Sequence, residues 1–261
     1  MIKLTKLGIV AVAALALFTA SNQASAAPSK LSVRPYASFK AGASLLNLDA
    51  RCNDSHLYDK SGSEKNNYIW DCSIDHKTAF SMRPAVGLDF YDDSLVGIRT
   101  EVEWYQNNRQ TFTNKLVGQI YNAQSGAVYT YNPENNNKIK TQALMFNTYA
   151  DFHTDKIFTP YIGAGLGWAK HSNKHSIIIP DTTIISDDSS YHLLGETIEG
   201  KTKTNRLAVD VTAGTAIKFN DYIALDLGAT YYYFGSVKNP DSPKKLVLSS
   251  VNFDAGLRLT F

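Results

Sequence analysis

The chain has 261 residues, with 26 Lys and Arg against 24 Asp and Glu, so its formal net charge is only +2. A charge this close to zero excludes the strongly basic class of nucleic-acid-binding proteins, and no nucleic-acid partner is expected. Beyond the first 26 residues there is no run of 18 apolar residues, which excludes a transmembrane helix.

Residues 1–26 have the composition of a secretory signal peptide that is cleaved after Ala26. Lys3 and Lys6 precede an apolar run of about 14 residues, and Ala24-Ser25-Ala26 supplies a small-x-small cleavage site. That run is too short to cross a bilayer as a helix. No cysteine stands at the cleavage site, so a lipid anchor is not expected. The mature domain, residues 27–261, is therefore either periplasmic or crosses a membrane as strands.

The chain has two cysteines, Cys52 and Cys72, separated by 20 positions. In an exported chain such a pair favours one disulfide, which the chain-entropy argument values at roughly 3 kcal/mol. Two free thiols are the alternative.

Eight segments of the mature chain alternate between apolar and polar residues with a period of two, as strands with one apolar face do. The segments cover residues 37–45, 80–90, 96–104, 144–152, 158–168, 207–219, 223–233 and 247–261. Connections after the second, fourth and sixth segments are short. Long connections fall at residues 47–79, 106–140 and 170–204, and a shorter one at 236–246. This rhythm predicts an all-β, eight-stranded antiparallel up-and-down transmembrane barrel with long extracellular loops.

Charged residues lie on only one face of these segments, and aromatic residues flank the other face near the segment ends, for example Trp104 with Tyr105 and Tyr231 to Phe234. In a soluble sandwich, the alternative fold, the charged face would be the wet exterior. In a barrel it becomes the interior, and the aromatic residues form interfacial girdles. The expected interior charge network comprises Lys40, Arg83, Asp89, Arg99, Glu101, Glu103, Asp151, Arg206, Asp210, Lys218, Asp226, Asp254 and Arg258.

No catalytic or cofactor motif is present in the sequence. The neighbouring carboxyls Glu101 and Glu103 could serve as general acid and base, but Arg99 beside them favours salt bridges instead. His171, His175 and His192 could hold a metal or haem, although the residues around them are not helical in pattern, and solvated loop histidines are the default. We expect no catalytic residue, no metal and no cofactor.

The long loops are the remaining place for a function. They carry six aromatic residues suited to recognition: Tyr58, Tyr68, Trp70, Tyr121, Tyr129 and Tyr131. The favoured interpretation is a monomer that binds a host or matrix protein through these loops, rather than a protein with a purely structural role in the membrane. A narrow porin-like channel and a lipid-modifying or proteolytic barrel enzyme are the alternatives.

Two stretches resemble a known family. The segment Phe158-Thr-Pro-Tyr-Ile-Gly-Ala-Gly-Leu-Gly-Trp-Ala169 and the ending Ala255-Gly-Leu-Arg-Leu-Thr-Phe261 are similar to strands of small outer-membrane barrels related to opacity proteins and outer-membrane protein A. The resemblance implies a place in the outer membrane of a Gram-negative bacterium, with loops at the cell surface and outer-membrane lipid around the barrel. Members of the family include surface antigens and adhesins, so the resemblance implies such a role for the loops. It also implies that Phe261 is part of the signal read by the barrel-assembly machinery.

Overall fold

The computed structural model describes residues 32–51, 66–70, 74–91, 95–121, 128–154, 157–186, 189–238 and 245–261. The expected signal peptide, the Cys52–Cys72 disulfide and Tyr58 lie outside these ranges. Within them, no helix is long and apolar enough to cross a membrane.

Thirteen strands occur in the described residues. They are β1 (Ser32–Arg51), β2 (Asn66–Trp70), β3 (Ile74–Tyr91), β4 (Val96–Asn107), β5 (Gln110–Tyr121), β6 (Val128–Tyr131), β7 (Glu134–Phe152), β8 (Phe158–Ile179), β9 (Thr182–Ser186), β10 (Ser189–Leu193), β11 (Glu196–Lys218), β12 (Ile223–Val237) and β13 (Lys245–Thr260).

Eight of the strands form a closed antiparallel ring in the order β1, β3, β4, β7, β8, β11, β12 and β13. The ring closes because β13 pairs with β12 on one side and with β1 on the other, for example at Ala41 opposite Ala255. Closure satisfies the backbone donors and acceptors of every strand without leaving an edge. The predicted eight-stranded antiparallel barrel is confirmed.

Alternation places an apolar belt on the outside of the ring. On β8, for example, Ile162, Leu166 and Trp168 are 44%, 53% and 66% exposed, while the residues between them are glycine or alanine. At one end the belt stops at a row of backbone partners, which we call the belt edge: Trp104, Leu144, Trp168 and Leu207. At the other end lie the short connections. Side chains this apolar and this exposed need lipid around them.

Beyond the belt edge the alternation reverses. On β1, Leu45 points outward and is 43% exposed, but the next apolar residues, Leu46 and Leu48, point inward and are buried, with Asn47 and Asp49 on the outer face. Five of the ring strands continue in this way past the belt, so much of residues 47–79, 106–140 and 170–204 is strand. The expectation of long loops throughout these ranges is wrong, because the outward-apolar pattern used to find strands applies only where lipid is the solvent.

A hydrophobic core fills the ring at this end, which we call the extended end. It contains Leu46, Leu48, Ala79, Tyr105, Phe112, Ile139, Ala143, Met145, Ala169, Ala208, Tyr232, Phe234, Val237, Leu246 and Leu248. Tyr232 and Phe234 stack with ring centroids 5.1 Å apart, and Tyr105 packs against both. The assignment of Tyr105, Tyr232 and Phe234 to the outer girdle is therefore wrong. The register shifts between Tyr233 and Gly235, and Gly235 has a φ of 76°. This bulge turns Val237, three positions after Phe234, to the inside as well.

Five further strands lie outside the eight-stranded ring. β5 pairs with β7 after a one-residue bulge at Asn108 and Arg109, so β4 and β5 are two parts of one long strand. The Asn108 side chain and backbone both bond to Phe80, which ends the ladder between β3 and β4. β5 also pairs with β2 and β6, and β9 and β10 form a separate two-stranded sheet.

Candidate functional site: a sealed charge network inside the barrel

The interior beside the apolar belt is polar and closely packed. Ten of the thirteen residues expected in the charge network are buried: Lys40, Arg83, Arg99, Glu101, Glu103, Asp151, Asp210, Asp226, Asp254 and Arg258. Asp89 and Arg206 are half-buried, and Lys218 is exposed. The structure therefore brings ten of these side chains together inside the ring and leaves three outside this buried set.

Lys40 holds the two neighbouring glutamates of β4. Its Nζ lies 2.7 Å from Oε1 of Glu101 and 3.3 Å from Oε2 of Glu103. The Tyr149 hydroxyl donates to Glu101 at 2.6 Å, and the Tyr232 hydroxyl donates to Glu103 at 2.6 Å. Both carboxylates are thus bound by a cation and a hydroxyl, and each is no more than 1% exposed. A substrate would have no access to them, so this geometry supports packing rather than acid–base chemistry.

Arg83 extends the network toward the closing strand. One of its terminal nitrogens lies 2.6 Å from Oδ1 of Asp254, and the other donates to the Tyr232 hydroxyl at 2.6 Å and to Thr230 at 3.0 Å. Because Tyr232 in turn donates to Glu103, residues from β3, β4, β12 and β13 share one hydrogen-bonded chain.

A second cluster centres on Arg99 and lies nearer the short connections. Its Nε and one terminal nitrogen donate to the two oxygens of Asp151 at 2.5 and 3.0 Å, the fork geometry that arginine provides. The guanidinium carbon lies 4.7 Å from the ring centre of Tyr149 and 5.2 Å from that of Tyr161. Arg258 adds a contact of 3.2 Å to Asp226.

Tyrosines are members of this interior network that the charge pattern of the sequence did not predict. The buried set contains six acidic but only four basic side chains, and hydroxyl groups donate where cations are lacking. The signal was available, since Tyr149 stands two positions from Asp151 and therefore on the charged face of its strand. Glycines make room for the rings: a side chain at Gly163 would meet the Tyr149 ring, and one at Gly214 would meet Tyr161.

The three histidines do not form one site. His192 lies on β10, 56% exposed and 3.5 Å from Asp181, whereas His171 and His175 lie on the inner face of β8. His171 sits past the belt edge, where its Nε2 donates to the Phe234 carbonyl at 3.0 Å and its Nδ1 lies 3.0 Å from the Thr141 hydroxyl. Burial lowers the pKa of His171 to about 4, which keeps the ring neutral. The described residues contain no group of three or more histidine, cysteine or carboxylate side chains arranged to hold a metal.

Five of the six aromatic recognition candidates lie in one sheet. Tyr68 and Trp70 are in β2, Tyr129 and Tyr131 are in β6, and β5 runs between the two strands. The backbones of Tyr68 and Tyr131 both register with Gly118 of β5. Tyr121 is the last residue of β5, and Tyr58 lies outside the described ranges.

The family model described as "Outer membrane protein beta-barrel domain" matches residues 10–261. The chain belongs to this family. The barrel therefore lies in the bacterial outer membrane, and its apolar belt is the lipid-facing wall. In such barrels short turns face the periplasm and longer connections face outward.

Among curated proteins, outer membrane protein PagN of Salmonella typhimurium is 33% identical over 93 residues. The match covers 36% of this chain and 36% of PagN, so it spans about a third of that relative's length. Two solved outer-membrane barrels are similar in fold. Neisserial surface protein A has 17% identity, 87% coverage of this chain, 97% of its own and a TM-score of 0.47. The protease OmpT of Escherichia coli has 8% identity, 91% and 99% coverage and a TM-score of 0.47.

Proposed function

We propose that this outer-membrane barrel is a surface antigen or adhesin that binds a host or matrix protein through its extended end. The observation that carries the proposal is the continuation of β1, β3, β7, β8 and β11 past the belt edge as a folded wall with its own hydrophobic core. A protein with a purely structural role in the membrane would not need a hydrophobic core beyond the lipid. Burial of this core stabilises the extended end and so keeps a surface rigid outside the membrane.

The sheet formed by β2, β5 and β6 is the best candidate for the contact surface. It brings Tyr68, Trp70, Tyr129 and Tyr131 into neighbouring strands, and aromatic residues of these types dominate the binding energy of many interfaces. β5 is joined to the ring through β7, where Phe112 is fully buried. The sheet is thus tethered to the rigid part of the barrel.

The geometry gives less support to the two alternative functions, a narrow porin and a barrel enzyme. A porin needs a water-filled lumen, but an eight-stranded ring is only just wide enough for side chains, and here Tyr105, Phe112 and Phe234 fill it. A barrel enzyme needs reactive groups that a substrate can reach, and the carboxylates of the network are sealed inside.

The proposal also covers the oligomeric state, the disulfide and the assembly signal. The protein acts as a monomer without a cofactor, a Cys52–Cys72 disulfide closes the stretch of chain that contains β2, and Phe261 is read by the assembly machinery during insertion. Phe261 is 71% exposed at the end of β13, with its backbone nitrogen bonded to the Pro35 carbonyl at 2.8 Å.

The test uses a non-adherent Gram-negative strain that displays the full chain. We expect it to bind cultured epithelial cells or immobilised matrix proteins above the level of the empty strain. A quadruple variant, Tyr68→Ser, Trp70→Ser, Tyr129→Ser and Tyr131→Ser, should lose most of that binding, since a few aromatic residues carry most interface energy.

A matched control replaces outer-face residues at the opposite end of the barrel, Phe219→Ser and Tyr222→Ser, which are 63% and 67% exposed. Equal amounts of folded protein are verified by heat-modifiable gel migration. Binding that the quadruple variant retains in full would contradict the assignment of the surface. If the wild-type chain binds no better than the empty strain, the adhesin proposal is wrong.

A further inference from the structure

Six lysines cluster on the outer wall immediately beyond the belt edge, on three adjacent strands. They are Lys138 and Lys140 of β7, Lys170 and Lys174 of β8, and Lys201 and Lys203 of β11. Five are exposed and Lys140 is half-buried, and all point away from the barrel axis. We call this set the lysine face.

The strand register arranges the lysine face in rows parallel to the belt edge. The belt edge pairs Leu144 with Trp168 and Trp168 with Leu207, and Lys170 stands in the next row outward. In the row after that, Lys140 and Lys203 flank Ser172, and in the third row Lys138, Lys174 and Lys201 are direct neighbours. Rows follow every second residue, about 7 Å apart along the strand, so the lysine face extends roughly 20 Å from the belt.

This arrangement costs stability unless an anion offsets it. Like charges directly opposite each other in a sheet are destabilising, and the third row places three ammonium groups side by side. Among the described residues, none of the six lysines forms an ion pair. The first acidic outer-face partner, Glu199, lies one row farther out, in register with Ser176.

A pocket adjoins the lysine face on its β4 side and is lined by both apolar and cationic side chains. It has a volume of about 400 Å³ at the Asn108 bulge, and Phe80 and Met82 of the apolar belt form part of its wall together with Arg109 and Lys140. Phe80 is 53% exposed to the lipid side. A ligand seated there would touch acyl-chain surface and two cations at once, as an anionic lipid does.

We propose that the lysine face and this pocket bind the phosphorylated headgroups of the outer-leaflet glycolipid. The height and direction of the face favour a lipid over a soluble polyanion, because its first row directly follows Trp168 and its side chains point sideways into the headgroup layer. Basic residues held near an anionic membrane surface gain about 1 kcal/mol each. The site adjoins the β2–β5–β6 sheet proposed for adhesion, where Thr111 of β5 pairs with Lys138, but it contains none of the aromatic residues assigned to that surface.

The experiment compares the wild-type chain with the triple variant Lys138→Gln, Lys174→Gln and Lys201→Gln, refolded in a zwitterionic detergent. Bis-phosphorylated lipid A is titrated in, and its binding and the unfolding temperature on heat-modifiable gels are measured. We expect binding to weaken about fivefold for each lysine removed and the wild-type unfolding temperature to rise more than that of the variant. Without lipid A the variant should be at least as stable as wild type, because the repulsion in the third row is gone.

Two controls accompany the titration. Lys218→Gln removes an exposed lysine at the opposite end and should bind as wild type does, while replacement of the same three lysines by arginine should preserve binding. The proposal is overturned if the triple variant and wild type respond equally to lipid A, or if dephosphorylated lipid A gives the same response. It is also overturned if the three lysines are needed for heparin binding but not for lipid A binding, because the occupant would then be a soluble sulfated glycan.

Discussion

The role of a charged residue in this barrel depends on whether it lies in the buried interior or in water. Arg99 and Lys218 were both expected in the interior network, yet Arg99 is 1% exposed and Lys218 lies in the open beside a turn. The buried guanidinium is stabilised by a carboxylate fork and by tyrosine rings, whereas the exposed ammonium is stabilised by water.

We predict that Arg99→Met lowers the free energy of unfolding by about 3–5 kcal/mol, because it leaves the Asp151 carboxylate buried without its main partner. The matched variant Lys218→Met should change it by less than about 0.5 kcal/mol. Urea unfolding from lipid vesicles, followed by tryptophan fluorescence, measures both. Equal effects of the two substitutions would show that the Arg99–Asp151 pair does not contribute more to the free energy of unfolding than an exposed lysine does.

His171 gives a prediction about pH. Burial lowers its pKa to about 4 in the folded protein, against about 6.5 in the unfolded chain. The unfolded state therefore takes up the proton first as the pH falls. The stability contributed by this group is complete above pH 6.5 and is lost between pH 6.5 and 4, by about 1.4 kcal/mol per pH unit.

The measurement is urea unfolding of wild type and His171→Gln at intervals from pH 7.5 to 4.5. Glutamine can donate to the Phe234 carbonyl as His171 does but does not titrate. We expect the difference between the two proteins to change steadily below pH 6.5. A difference that stays constant over this interval would mean that His171 is accessible to protons in the folded barrel.

At the scale of the strands, two opposite alternations share each long element. Leu45 and Leu46 mark the change on β1: the first faces lipid, and the second begins the inner core of the extended end. The change lies where the surroundings of the barrel's outer face pass from hydrocarbon to water. Apolar side chains therefore face outward on the lipid side of this point and inward beyond it.

This junction yields a matched pair of substitutions. Leu46 is 1% exposed, so Leu46→Ala should cost about 2–5 kcal/mol through the cavity it leaves. Leu45 is 43% exposed on the outer face, and Leu45→Ala should cost less than about 1.5 kcal/mol. Unfolding in vesicles compares the two adjacent positions directly. If Leu45→Ala proves the more damaging change, the extended end has no core of its own.

The barrel strands could be predicted from sequence wherever lipid imposes the pattern. Residues 158–168 and 251–261 show this, because each second side chain is apolar and faces outward. The extended parts, such as residues 170–179 of β8, could not be found in that way, since lysines alternate there with buried histidine and asparagine. The pairing of individual charges could not be predicted from the sequence either. Lys40 and Glu101 stand 61 positions apart, and only the register of the ring brings them together.

For the whole molecule, the interior consists of two stacked layers. The charge network lies beside the apolar belt, and the hydrophobic core closes the ring at the extended end. Each layer seals the other: the core keeps water from the ion pairs, and the ion pairs fix the positions of the strands beneath the core. A solute entering from the extended end would have to displace Tyr105, Phe112 and Phe234 before it reached Lys40.

We therefore predict that the purified barrel produces no stepwise conductance in planar bilayers, even in concentrated KCl, because both layers are filled by side chains. A wide porin inserted in the same membrane is the positive control. The triple variant Tyr105→Ala, Phe112→Ala and Phe234→Ala should also remain silent, since the Lys40–Glu101–Glu103 cluster still blocks the lower layer. Discrete steps from the wild-type protein would contradict this packing and favour the narrow-porin alternative. Steps from the triple variant alone would show that the core is the only seal.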